Sequence, residues 1–101
     1  LEVFVGKYIP LALKSNMIEI NKIIQKQSPT LEELVLCMDC VRENGDVAFI
    51  KLDGERECDH YTVLISFPQN KRRELIRSDG GDLKKALLEV LRKYVLHVKD
   101  M

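Results

Sequence analysis

The hydrophobic period of this chain changes at Asn44-Gly45-Asp46, and the change restricts the fold to one that joins helices to a sheet. Before it, Leu31, Leu34, Val35, Met38 and Val41 recur at helical spacing. After it, Tyr61, Val63, Ile65 and Phe67 alternate with Thr62, Leu64 and Ser66, the period of a strand with a distinct inner face.

The remaining elements follow from local signals. Leu1 to Ile9 alternates as an extended segment, and Asn16 to Gln27 reads as a short amphipathic helix opened by a capping-box-like Asn16-Met17-Ile18-Glu19. Ser28-Pro29 interrupts it. Thr30-Leu31-Glu32-Glu33 is a capping box, so a second helix is expected from Thr30 to about Asn44, where Gly45 supplies a residue tolerant of positive φ. Val47 to Leu52 and Tyr61 to Phe67 are expected to pair antiparallel, leaving Asp53 to His60 as a loop longer than a tight turn. Glu74 to Arg77 reads as a charged edge strand, and Ser78 to Asp82 as a loop with Asp82 as N-cap. A final helix carries Leu83, Ala86, Leu87, Val90, Leu91 and Tyr94 on one side. The fold class is therefore α+β: N-terminal helices, a small antiparallel sheet and a C-terminal packing helix, in one domain spanning 1–101.

A chain of 101 residues closes one modest core, and 46% apolar with 32% charged residues is a globular balance rather than a disordered one. Sixteen basic residues match sixteen acidic ones, so no global field draws the protein to nucleic acid or an anionic membrane, and copies of it repel little. No apolar run approaches the roughly 20 residues that span a bilayer. Three cysteines in a chain that shows no secretory leader read as a reduced inventory, so a cytoplasmic location is expected.

Four residues have the chemistry of a zinc site. Cys37 and Cys40 stand at Cys-x-x-Cys spacing, and Cys58 with His60 would complete a tetrahedral set, stapling the second helix to the sheet with no position left for catalysis. Against zinc stand the single residue between Cys58 and His60 and the helical setting of the first pair. That helical position, well past the N-terminus, also disfavours thiol exchange. His60 beside Asp59 reads as a loop histidine rather than a general base, and Asp79-Gly80-Gly81-Asp82 has carboxylates where a phosphate cradle needs none.

Lys71, Arg72, Arg73 and Arg77 form the densest basic patch, though Glu74 interrupts it. On the second helix, Leu36 and Cys40 are expected opposite the main stripe, where a one-sided helix would not need them. Without a constellation of nucleophile, base and stabilising donor, the reading is a small non-catalytic interaction or regulatory protein. It is expected to use Leu36 and Cys40 against a protein partner or a second copy of itself, with no cofactor. The alternatives are a nucleic-acid-associated accessory protein using Arg72, Arg73 and Arg77, and a structural zinc module using Cys37, Cys40, Cys58 and His60.

Overall fold

The computed structural model describes residues 11–70 and 73–99, without the side chains of 11, 12, 14 and 99. The expected strand over 1–9 and the expected contacts of Lys71 and Arg72 lie outside the described residues. In chain order the elements are α1 (Leu11–Ile24), α2 (Leu31–Glu43), β1 (Val47–Leu52), β2 (Tyr61–Ser66), β3 (Ile76–Gly80) and α3 (Leu83–Lys99). This is the α+β arrangement expected.

Helix α2 is set by its ends. Thr30 Oγ1 accepts from the Glu33 amide at 3.1 Å while the Thr30 amide donates to Glu33 Oε1 at 3.0 Å, the reciprocal capping box. At the other end Gly45 takes φ +92°, with its amide donating to Arg42 O at 2.9 Å and the Asp46 amide to Val41 O at 3.3 Å. That left-handed turn satisfies carbonyls the helix would otherwise leave open and aims the chain into β1.

Helix α1 starts earlier than Asn16. Leu11 to Ser15 joins it, because leucine, alanine and lysine all favour helix, and Asn16 becomes an interior residue rather than a cap. Freed from capping, Asn16 Nδ2 donates to Asn44 Oδ1 at 2.8 Å.

The sheet has the order β1-β2-β3, antiparallel throughout. Strand β3 runs to Gly80, so Ser78, Asp79 and Gly80 are strand rather than loop. Pairing of Thr62 with Asp79 and Tyr61 with Gly80 outweighs the turn preference of those residues, and tertiary context of this kind commonly overrides strand propensity. The inner face stacks Ala48 on Ile65 and Ile76, then Ile50 on Val63 and Ser78. Asp82 caps α3 as expected, its Oδ1 accepting from the Lys85 amide at 3.2 Å.

Helix α3 crosses β2 and β3, α2 covers β1, and α1 rests on both helices without meeting a strand. Leu87, Val90, Leu91 and Tyr94 of α3 are fully buried, as are Leu34, Cys37 and Val41 of α2 and Ile20 of α1. Each such aliphatic side chain contributes about 1.5–3 kcal/mol by leaving water. Packing of α1 on α2 accompanies a correction to the α2 stripe: Cys37 is buried and Cys40 packs against the core, whereas Leu31 and Val35 are exposed with Leu36.

Asn44 joins three helices at one point. Besides accepting from Asn16 it donates to Tyr94 Oη at 3.1 Å, and Tyr94 Oη donates onward to Asp46 Oδ2 at 2.7 Å. Tyr94 stacks parallel to Phe67 with centroids 6.0 Å apart, and Phe67 stacks in turn on His97 at 5.9 Å. Burial raises the Tyr94 phenol above its ordinary range, outweighing the Asn44 bond that favours ionisation, so the hydroxyl serves as a donor.

Candidate functional site

Strands place alternate residues on opposite faces, so once helices cover one face of this sheet the other must meet solvent or a partner. The outer face carries the rows Val47–Ser66, Phe49–Leu64–Arg77 and Lys51–Thr62–Asp79. Its two ends differ in chemistry.

At one end the β1–β2 loop folds back over the sheet. Arg56 Nη1 donates to Thr62 Oγ1 and to Asp79 Oδ1, each at 3.0 Å, and to the Asp59 carbonyl at 3.1 Å; Arg56 Nε lies 3.2 Å from Asp53 Oδ2. Asp59 holds φ +52°, in the left-handed region that aspartate tolerates better than most residues. Arg77 Nε reaches Asp79 Oδ2 at 2.9 Å and Lys51 Nζ lies 3.3 Å from Asp53. The Arg77 guanidinium first, then Thr62 and Arg56, hold the Asp79 carboxyl far below the usual range. Lys51, Asp53, Arg56, Arg77 and Asp79 thus each have an opposite charge within 3.3 Å, and Thr62 is buried beneath Arg56 although it sits on the outer face.

Among the described residues, the other end has no such cover. Val47 and Phe49 are each 47% exposed, beside half-buried Leu64. The result is an apolar strip on the strand surface, bordered by a cluster of mutually paired charges. Exposed leucines scattered singly need no partner, whereas adjacent rows of large apolar side chains on an open sheet form a surface that a partner can dry.

The residues singled out from the sequence divide as follows. Leu36 is 53% exposed on α2, as expected; Cys40 is only partly exposed and packs against the core, so it does not share Leu36's outer face. The presumed zinc ligands are not gathered: Cys37 is sealed inside the core, Cys58 and His60 lie exposed on the β1–β2 loop, and no group of three or more potential ligands occurs among the described residues. Burial pushes the Cys37 thiol up to about 12, the opposite of the depressed value that a reactive thiol needs.

The two described members of the basic triplet are both engaged within the chain. Arg73 lies over the Phe67 ring, 5.2 Å from its centroid, and donates to the His97 carbonyl at 2.8 Å, while Arg77 is bound to Asp79. Arg72 is outside the described residues. The sequence reading missed the outer strip, although Val47 and Phe49 alternate visibly with Ala48 and Ile50; with one helix taken as the sheet's cover, which alternate set stays open is undecided until the register is known.

No helix among the described residues is long and apolar enough to cross a membrane. No family model, curated protein or solved structure matches the chain.

Proposed function

We propose that the chain is a non-catalytic protein-interaction protein whose partner is a second copy of itself, docked across the open face of the sheet. The observation that carries this reading is the exposed Val47–Phe49 strip beside Leu64. Self-association lays like on like, so an apolar strip finds its match in the same strip turned by a two-fold axis. Two features favour a copy over a charged partner: Lys51, Asp53, Arg56, Arg77 and Asp79 beside the strip are paired with one another, and equal numbers of acidic and basic residues leave the copies with little mutual repulsion. Leu36, together with Leu31 and Val35, forms a second apolar area on α2, to which the same association is the alternative. The three unpaired cysteines fit a reducing compartment, which makes the cytoplasm the proposed location.

The test is the solution mass of the full chain by sedimentation at about 10–100 μM, a range that detects micromolar dimers. The wild type is expected as a dimer, Phe49→Glu as a monomer with unchanged far-UV circular dichroism, and Leu36→Glu as a dimer. A wild-type monomer throughout that range overturns self-association; a dimer lost in Leu36→Glu but kept in Phe49→Glu moves the interface to α2.

A further inference from the structure

Away from the open sheet face, a cavity of about 350 Å³ lies where the start of α1, the end of β2 and the C-terminal half of α3 meet. Its apolar walls include Leu13, Phe67 and Val98, and its polar lining includes Asp46, Arg73 and Tyr94. The volume is at the small end of the roughly 300–1,000 Å³ typical of ligand pockets, suited to a single small molecule rather than a nucleotide.

The charges in this cavity are arranged for something other than each other. Asp46 Oδ2 accepts from the Tyr94 phenol at 2.7 Å, and among the described residues its Oδ1 has no hydrogen-bond donor. Arg73 uses one side-chain N–H on the His97 carbonyl and rests its guanidinium plane on Phe67, which leaves most of its five donors uncommitted. Asp46 senses the positive charge of Arg73, yet the two form no ion pair. A carboxylate and a guanidinium that line one cavity without forming an ion pair, and that are the charged residues among its described lining, match a ligand bearing both signs. A simple cation would face Arg73, a simple anion would face Asp46, and a metal ion would find one carboxylate.

We propose that this cavity binds a small zwitterion, a free α-amino acid with an apolar side chain, holding its ammonium group at Asp46, its carboxylate at Arg73 and its side chain against Leu13, Phe67 and Val98. Tyr94 and Asn44 are positioning residues: the Asn16–Asn44–Tyr94 relay fixes the phenol, and the phenol fixes Asp46. Arg73 is steadied in the same way by the Phe67 ring, and both charged groups are thus oriented before a ligand arrives.

The test is a two-dimensional amide NMR titration of the full chain at pH 8 with L-leucine and L-phenylalanine. The matched single-charge probes are 3-methylbutylamine and 2-phenylethylamine as amines, and 4-methylpentanoate and 3-phenylpropanoate as acids. The amino acids are expected to shift amides around Asp46, Phe67 and Arg73 and to bind at least about tenfold tighter than either probe type. Asp46→Asn is expected to weaken amino acid and amine but not acid, and Arg73→Gln to weaken amino acid and acid but not amine. Two results overturn the proposal: no saturable shift at these amides up to about 10 mM of either amino acid, or equal binding of amino acid and single-charge probes. The wild-type probe series decides the matter by itself should either variant fail to fold.

Discussion

Replacing Tyr94 by phenylalanine removes one oxygen from the point where all three helices and the start of β1 are joined. The ring is fully buried and stacks on Phe67 at 6.0 Å, so phenylalanine keeps the packing and the difference isolates the hydroxyl. Two hydrogen bonds go: the donation to Asp46 Oδ2 at 2.7 Å and the acceptance from Asn44 Nδ2 at 3.1 Å. A bond to a charged group contributes about 1.5–3 kcal/mol and a neutral one about 1 kcal/mol; water reaches half-buried Asp46 and Asn44 and replaces part of both, leaving a net loss of about 2 kcal/mol. For a domain of this size that lowers Tm by about 10 °C.

The pH dependence separates this account from a general packing defect. Burial raises the Asp46 carboxyl above its ordinary value, against the lowering effects of the Tyr94 bond and the Arg73 charge. An acid whose folded pKa is raised binds more protons folded than unfolded between its two pKa values, so its own contribution to stability falls as pH rises through that window. The Tyr94 bond favours the carboxylate, and its loss raises the folded pKa further. The cost of Tyr94→Phe is therefore full above the window and shrinks as pH falls through it. Urea denaturation followed by circular dichroism at about pH 7 and pH 4 measures both. A loss below about 0.5 kcal/mol, or one equal at the two pH values, would refute the reasoning.

Two further outcomes are expected. Thr30→Ala should cost about 1 kcal/mol in the same denaturation assay, because it removes the cap of α2 and leaves the Glu33 amide without its 3.1 Å acceptor; a loss within error of zero would mean that packing alone holds the helix start. Under native conditions an alkylating reagent should modify exposed Cys58 first and Cys37 last, since Cys37 is sealed in the core with its thiol raised to about 12; peptide mass mapping that finds Cys37 modified alongside Cys58 would contradict that burial.

Local sequence determined the elements whose signals are local. The Thr30–Glu33 box and Gly45 delimit α2 because they satisfy end groups within a few residues, and Asp82 does the same for α3. The alternation in β2 and the apolar face of α3 likewise show which residues must be buried, since period and burial are the same geometric fact seen twice. What lay beyond the sequence was set by long-range pairing. Ser78-Asp79-Gly80 reads as a turn and becomes strand because β2 offers partners and because Arg77, Thr62 and Arg56 hold Asp79 on the outer face. Asn16 reads as a cap and becomes one end of a relay through Asn44 to Tyr94, residues far apart in the chain. The four presumed zinc ligands share a spacing but not a place, because Cys37 belongs to the core and the Cys58–His60 loop to the surface. Spacing along a chain limits which residues can meet; only the packing of helices on a sheet decides which of them do, and here it set Asp46 and Arg73 on one cavity and left Val47 and Phe49 on an open face.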